Sequence, residues 1–247
     1  MTVILIHGMF CGNHFWHRVY ELLHERGIAT RKVDLHPHGE AKCGRGFGAV
    51  NVSVRDQLVD LYDQPVVLVG HSLGALVVQK ILTEFPRAIP VLVNPSPGWG
   101  FLGPMYPLWV AACRGRFWNK LINLSKRECR RLLFQGMSDS ESRQAMDIVE
   151  PESGELVRQA FWFYDLLGRT TWINPRAVKN MSIVTGSLDP MGSPAYCKRL
   201  SSRYACDNNP VIVEKMGHWS VLQEEGAQKL VEQIRVSCAR QEISWVH

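Results

Sequence analysis

Short apolar runs alternate with amphipathic segments along most of this chain, and this alternation limits the folds that the sequence can adopt. Several runs are apolar on both faces, and the segments between them carry apolar residues at helical spacing. Strands that are buried on both faces and separated by helices are typical of an α/β fold with a parallel sheet between two helical layers. The predicted strands cover residues 2–6, 28–35, 65–69, 89–93, 181–185 and 210–213, and the predicted helices cover residues 15–26, 52–62, 73–84, 194–204 and 221–236.

The alternation stops between Asn94 and Arg176, where a hinge rich in proline and glycine is followed by helical patterns. This stretch also holds five of the eight tryptophans. We interpret residues 95–175 as a helical lid inserted between two strands, and residues 1–94 and 176–247 as one core. Residues 36–48, which are glycine-rich and polar, are predicted to form a loop.

The sequence Gly-His-Ser-Leu-Gly at residues 70–74 lies between a predicted strand and a predicted helix. The five-residue motif alone is weak evidence for a catalytic serine. Its position between a strand and a helix, however, predicts a sharp strand-to-helix turn. Such a turn exposes the hydroxyl of Ser72 in a strained backbone conformation, and side chains at Gly70 and Gly74 would collide within it. The first N–H groups of the helix then point towards Ser72, where they favour a developing negative charge. Ser72 is therefore the candidate nucleophile.

Three further motifs follow predicted strands: His-Gly at residues 7–8, Gly-Ser-Leu-Asp at residues 186–189, and Gly-His-Trp at residues 217–219. Together with the turn at residues 70–74, they resemble the α/β-hydrolase superfamily, in which nucleophile, acid and histidine occur in this chain order. The resemblance covers nearly the whole chain outside the proposed lid. In one departure, the chain opens at the strand that normally comes third, so we expect an α/β-hydrolase fold of about six mainly parallel strands with flanking helices.

A serine hydroxyl becomes a strong nucleophile only when a base removes its proton. His218 follows the last predicted strand, so we expect its imidazole over the carboxyl edge of the sheet, acting as that base. Asp189 follows the preceding strand and is expected to orient the imidazole and to stabilise its cation. The oxyanion of an acyl-transfer reaction needs backbone N–H donors. Leu73 would supply one, and the resemblance implies Met9 for the other, with Phe10 in reserve.

Serine at residue 72 excludes the superfamily members that carry aspartate or cysteine at this turn, such as haloalkane dehalogenases and dienelactone hydrolases. We predict a hydrolase that cleaves a carboxylic ester or thioester of an apolar acyl group through an acyl-enzyme. A C–C bond hydrolase, a lactonase or a lyase could use the same three residues, and a ligand-binding protein could retain them without catalysis. The candidate pocket residues are aromatic: Phe10, Trp99, Phe163 and Trp219.

The positive charge of the chain is concentrated in the predicted lid. The formal net charge is +5, yet seven basic residues and one acidic residue lie between Arg114 and Arg131, and the rest of the chain is nearly neutral. One interpretation is a solvated helix face. The other is a docking surface for an acyl carrier protein or for the phosphates of an acyl-CoA.

Neither the composition nor the motifs support a membrane protein, a secreted protein, a nucleic-acid-binding protein or a protein that depends on a metal or cofactor. No apolar run approaches the roughly 20 residues that a membrane helix requires, and the first residues lack the features of a signal peptide. Seven cysteines are scattered without paired spacing, which favours free thiols in a reducing compartment and hence a cytoplasmic enzyme. No motif indicates a nucleic-acid partner, and no residue set indicates a metal or a cofactor.

Overall fold

The computed structural model describes residues 1–36, 45–100, 120–160, 170–174, 181–204, 206 and 209–241. The strands in these ranges are β1 (Thr2–Ile6), β2 (Ala29–Val33), β3 (Val66–His71), β4 (Ala88–Val93), β5 (Leu121–Ile122), β6 (Glu152–Ser153), β7 (Ser182–Gly186) and β8 (Val211–Val213). The helices are α1 (His17–His24), α2 (Phe47–Asp56), α3 (Leu73–Ile81), α4 (Lys126–Leu132), α5 (Asp139–Met146), α6 (Gly154–Ala160), α7 (Pro194–Arg203) and α8 (Glu224–Ala239).

Six of these strands form one sheet in the order β2–β1–β3–β4–β7–β8, and every neighbouring pair in it is parallel. The chain starts in the interior of the sheet, runs to one edge at β2, and returns past β1 to build the other half. Open parallel sheets bind ligands at such a reversal, outside the carboxyl ends of the strands. This arrangement confirms the predicted α/β-hydrolase fold.

Both faces of the sheet are buried, as the uninterrupted apolar runs predict. In β1, Val3 and Leu5 pack into the cluster on one face, and Ile4 and Ile6 pack into the cluster on the other. The first cluster contains the apolar residues of α1 and α8, and the second contains those of α2, α3 and α7. None of the described helices is both long and apolar enough to cross a membrane.

An insertion separates β4 from β7 in the sequence. Its described residues form a short antiparallel pair, β5 with β6, and the helices α4, α5 and α6. Helices α4 and α5 begin with the same reciprocal cap, in which a serine accepts from the backbone N–H of a glutamate three residues later and that glutamate accepts from the serine N–H. The strand pair is absent from the sequence prediction, because two residues per strand carry no readable alternation.

Three helices begin at residues other than those that the pattern predicts. Helix α1 begins at His17, because Phe15 and Trp16 lie in a separate short helical turn, Asn13–Trp16. Helix α2 begins at Phe47, within the predicted loop, because Gly46 is extended there and the buried Phe47 ring anchors the first turn. The last helix begins at Glu224, because Val221 lies in a separate short helical turn, Ser220–Leu222. Apolar periodicity continues across such turns, so periodicity alone misplaces the helix boundary.

Candidate active site

The turn between β3 and α3 holds Ser72 in a conformation that residues with a side chain rarely adopt, with φ 53° and ψ −116°. A side chain on Gly70 would collide with the carbonyl group of Gly74. A side chain on Gly74 would collide with the backbone oxygens of Ile6 and His7 in and after β1. Only glycine fits at both positions, so the local sequence itself permits the strained turn that presents Ser72 at the carboxyl edge of the sheet.

The side chains of Ser72, Asp189 and His218 meet at the carboxyl ends of β3, β7 and β8. Nε2 of His218 lies 2.9 Å from Oγ of Ser72, and Nδ1 of His218 lies 2.9 Å from Oδ2 of Asp189. All three residues are buried. The structure therefore brings the predicted nucleophile, base and acid into one continuous hydrogen-bonded chain.

The direction of these hydrogen bonds follows from the available donors and acceptors. Oδ2 of Asp189 also accepts from Nδ2 of Asn94 at 2.7 Å, and Oδ1 accepts from the N–H of Met191 at 2.7 Å. A carboxylate only accepts, so the proton between Asp189 and His218 lies on Nδ1 of the imidazole. In the neutral imidazole, Nε2 is then the acceptor, and Ser72 donates its hydroxyl proton to it. A general base needs this arrangement to activate a serine.

Asn94, which the sequence pattern did not single out, links the acid to the histidine loop. Besides donating to Asp189, its Nδ2 donates to the carbonyl oxygen of Gly217 at 3.2 Å, and its Oδ1 accepts from Oγ of Ser220 at 2.9 Å. The side chain of Asn94 thus contacts Gly217 and Ser220 in the loop that carries His218, as well as the carboxylate partner of His218. The available signal was its position directly after β4, at the same sheet edge as the other site residues.

Ser96 is the second residue that sequence reasoning missed. Its Oγ lies 2.9 Å from Oγ of Ser72. Because Ser72 donates its own proton to His218, the proton between the two serines comes from Ser96. Ser96 lies in the Pro- and Gly-rich segment that was interpreted only as a hinge, and no local pattern distinguished it from an ordinary turn serine.

His71 supports the backbone of the proposed base. Its Nε2 donates to the carbonyl oxygen of His218 at 2.9 Å, and the two ring centroids are 4.8 Å apart. Burial lowers the pKa of His71 well below its usual value, and the neighbouring His218 lowers it further. His71 is therefore neutral. It positions the loop that carries His218 and does not compete with His218 for the proton of Ser72.

The two proposed oxyanion donors each follow a residue of the turn around the nucleophile: Met9 follows Gly8, and Leu73 follows Ser72. A Cβ atom on Gly8 would lie 2.8 Å from Cβ of Ser72, so the turn that leads to Met9 packs directly against the nucleophile. Leu73 follows Ser72 as the first residue of α3. Within the described part of the chain, the N–H groups of Met9 and Leu73 donate to no other protein atom. The N–H of Phe10 is already engaged by a carboxylate of the insertion.

That carboxylate belongs to Glu152 of β6 and is fully buried. Its Oε2 accepts from the N–H of Phe10 at 3.3 Å. Its Oε1 accepts from Nε2 of His36 at 2.8 Å and from the N–H of Ser153 at 2.8 Å. The N–H of Glu150 donates to the carbonyl oxygen of Phe10 at 2.8 Å. The insertion therefore binds both the N–H and the carbonyl oxygen of Phe10, whose φ is 64°. No pattern in the local sequence predicted this contact.

The four aromatic pocket candidates lie in different surroundings. Phe10 lies in the loop beside the nucleophile and is nearly buried. Trp99 lines a narrow crevice beside α7. Trp219 packs in the core against two aromatic rings and has no accessible area, so its ring contributes core packing and no exposed pocket wall. Phe163 lies outside the described residues.

Two other features bear on ligands. The basic segment is described only in part: Lys126, Arg127 and Arg130 are exposed on α4, and Arg130 pairs with Asp139, whereas Arg114 lies outside the described ranges. Among the described residues, no group of three or more His, Cys, Asp or Glu side chains is placed so that it could hold a metal ion.

Comparison with known sequences gives one family and several relatives. The sequence model of the Alpha/beta hydrolase family matches residues 3–233. The lipase LipV of Mycobacterium tuberculosis is 35% identical over 97 residues, which are 38% of this chain and 36% of the relative. Methylesterase 17 of Arabidopsis thaliana is 31% identical over 91 residues, 35% of this chain and 33% of the relative. The chain thus spans about a third of the length of the curated relatives it matches.

Solved structures share the fold over nearly the whole chain. A monoacylglycerol lipase of Paleococcus ferrophilus has a TM-score of 0.71 at 19% identity, with 96% of this chain and 94% of that chain covered. A mutant of polyneuridine aldehyde esterase has a TM-score of 0.69 at 15% identity, with 94% and 98% covered. At these identities the likeness concerns the fold.

Proposed function

This chain belongs to the alpha/beta hydrolase family, and from that premise we propose that it is a serine hydrolase which cleaves a carboxylic ester or thioester of an apolar acyl group. The hydrogen-bonded chain from Asp189 through His218 to Ser72 carries the proposal. The relatives named as a lipase and a methylesterase support ester hydrolysis in general.

In the proposed first half-reaction, Oγ of Ser72 attacks the acyl carbon while Nε2 of His218 takes the hydroxyl proton. Asp189 stabilises the imidazolium that forms. The N–H groups of Met9 and Leu73 hold the oxyanion, and one such donor contributes about 2.7–4 kcal/mol to lowering the barrier. His218 then gives its proton to the leaving alcohol or thiol, and the acyl group remains on Ser72.

Water completes the proposed cycle. His218 takes a proton from water as the water oxygen bonds to the acyl carbon. The bond between that carbon and Oγ of Ser72 then breaks, and the proton returns from His218 to Oγ. The carboxylic acid leaves, and the same base has served both half-reactions.

We propose that residues 95–175 form a lid over the acyl pocket, with Phe10 as one pocket wall. The bonds that Glu150 and Glu152 make to the Phe10 loop support a position of the insertion close to Ser72. Hydrolysis of esters that differ in chain length tests the apolar pocket, because a longer apolar acyl group that is buried should raise kcat/KM. A preference for the shortest acyl group would contradict this part of the proposal.

We also propose that the basic segment between Arg114 and Arg131 docks a phosphate-bearing thioester, either an acyl-CoA or an acyl carrier protein. The exposed cations on α4 support this use of the segment. Such steering weakens with salt, since exposed charges are screened beyond about 10 Å at 0.1 M. We expect Arg127→Glu to lower kcat/KM for the CoA thioester at low salt, and Arg235→Glu, on α8, to serve as the control. Equal kcat/KM at low salt for free and CoA-linked thioesters would reject the docking role.

A reducing, cytoplasmic setting completes the proposal. The described cysteines are free thiols. Cys206 is half-buried, and the other four are buried: Cys11, Cys129, Cys197 and Cys238. Reduced thiols of this kind are usual where glutathione and thioredoxin act. Fractionation of cells that express the tagged chain tests this point, and recovery in the medium would contradict it.

The test of the central proposal is labelling with a fluorophosphonate probe, followed by intact mass and mapping of the modified peptide. We expect one adduct, on Ser72. Ser72→Ala and His218→Ala should form none, whereas the surface controls Ser202→Ala and His24→Ala should label as the wild type does. Hydrolysis of a panel of simple esters by the same proteins should follow the labelling.

Two experimental outcomes would contradict the proposed function. Turnover by Ser72→Ala at the wild-type rate would exclude Ser72 as the nucleophile. A wild-type protein that neither labels nor turns over, but whose unfolding temperature rises with an apolar ligand, would favour the ligand-binding protein instead.

A further inference from the structure

A second hydroxyl is directed at the atom that would carry the acyl group. Oγ of Ser96 lies 2.9 Å from Oγ of Ser72, and both residues are buried. The proton order along Asp189, His218 and Ser72 leaves Ser96 as the donor in this bond. Oγ of Ser72 therefore gives one hydrogen bond, to His218, and receives one, from Ser96.

The backbone of Ser96 is fixed on both sides. Its N–H donates to the carbonyl oxygen of Ser72 at 3.2 Å, and its carbonyl oxygen accepts from the phenol of Tyr196 at 3.1 Å. Burial raises the pKa of Tyr196 well above its usual value, so this phenol keeps its proton and remains a donor. Prolines at residues 95 and 97 restrict the chain further. The hydroxyl of Ser96 is thus held in place before any substrate binds.

We propose that Ser96 is a catalytic residue whose hydroxyl stabilises Oγ of Ser72 as the acyl group departs; this inference rests on the proposed function. In the second half-reaction the bond between the acyl carbon and Oγ breaks, and its electron pair stays on Oγ. Negative charge builds on Oγ until the proton arrives from Nε2 of His218. The O–H of Ser96 stabilises that charge and keeps its own proton, so no further reactant is needed.

The hydrogen bond from Ser96 to Oγ of Ser72 has opposite effects on the two half-reactions. It makes Oγ of Ser72 a better leaving group, which speeds release of the acyl group. The hydrogen bond also makes Oγ of Ser72 less basic. Oγ is then a weaker nucleophile when it attacks the acyl carbon in the first half-reaction, which offsets part of the benefit of the bond. Loss of the bond should therefore slow deacylation more than acylation, and the acyl-enzyme should accumulate.

The experiment compares wild type, Ser96→Ala and Ser96→Thr on an activated acyl ester, with acyl-enzyme measured by intact mass during turnover. For Ser96→Ala we expect kcat to fall about tenfold, the scale of a hydrogen bond to a charged atom. We expect a smaller fall in kcat/KM and a larger acylated fraction. Ser96→Thr keeps a hydroxyl and should recover most of kcat.

The remaining outcomes decide against the inference. A kcat for Ser96→Ala within twofold of wild type would overturn it, and so would equal falls in kcat and kcat/KM without a rise in acyl-enzyme. Unfolding temperature and fluorophosphonate labelling show whether the variant keeps a folded, reactive Ser72. Failure of the proposed function itself is distinct, because the wild type would then form no acyl-enzyme at all.

Discussion

Replacing Glu152 by alanine tests how firmly the insertion holds the loop beside the nucleophile. The carboxylate is fully buried and accepts three N–H donors at 2.8–3.3 Å, from Phe10, His36 and Ser153. In the variant all three donors lose this acceptor. Phe10 also loses the bond that fixes its N–H in a backbone conformation with positive φ.

The size of the effect follows from these three donors. One buried donor that loses its acceptor costs about 1–3 kcal/mol. Water that enters the vacated space can satisfy part of the set, so we expect Glu152→Ala to lower the free energy of unfolding by about 3–5 kcal/mol. Domains of this kind are stable by about 5–15 kcal/mol. Glu152→Gln keeps one acceptor oxygen and should lose less than the alanine variant.

Equilibrium unfolding in urea measures the loss, with the slope of the transition checked for two-state behaviour. Glu232→Ala is the matched control, because Glu232 is exposed on α8 and its pair with Arg235 lies in solvent. We expect the control to unfold close to the wild type. If Glu152→Ala also unfolds within about 1 kcal/mol of the wild type, the buried carboxylate does not hold the loop.

Three further substitutions, at Gly74, Gly48 and His71, test the packing of the turn, the backbone of α2 and the pH dependence of stability. Gly74→Ala should destabilise the protein by about 1–3 kcal/mol or more, because its methyl group meets the carbonyl oxygens of Ile6 and His7. Gly48→Ala, which has open space within α2, should instead leave stability unchanged or raise it by up to about 1 kcal/mol in the same urea assay. His71 has a pKa below its unfolded value, so the unfolded chain binds its proton first as the pH falls. Its contribution to stability should therefore decrease by about 1 kcal/mol between pH 6.5 and 5.5, and by about 1.4 kcal/mol per pH unit at lower pH. The His71→Gln variant should lose less stability than the wild type between pH 6.5 and 5.5, and an equal loss would reject the assignment.

The sequence predicts the sheet and the three residues of the proposed triad for one reason. Each depends on a pattern that neighbouring residues carry. Apolar runs predict strands that are buried on both faces, and two glycines around Ser72 predict a turn that no other residue could form. Asp189 and His218 lie in the loops that follow β7 and β8, and parallel strands place the loops at their carboxyl ends along one edge.

The contacts between distant residues depend on the tertiary structure. Ser96 and Ser72 are 24 positions apart, and Glu152 and Phe10 are 142 positions apart. Neither contact leaves a signature in periodicity or spacing, because it depends on how the insertion and the loop after β4 pack on the sheet. Trp219 illustrates the reverse case, since an aromatic next to the proposed base suggested a pocket wall and the packing buries it in the core.

By itself, then, the sequence determined which segments form the six-stranded sheet, which turn is strained, and which residues lie in the loops at the carboxyl edge, since these are local consequences of side-chain burial and backbone sterics. Only the tertiary structure decided that Ser96 donates to the nucleophile, that Asn94 links Asp189 to the loop of His218, and that Glu152 fastens the insertion to the Phe10 loop. Hydrogen bonds require atoms to approach within about 3 Å, and across many intervening residues only the packed chain brings them that close.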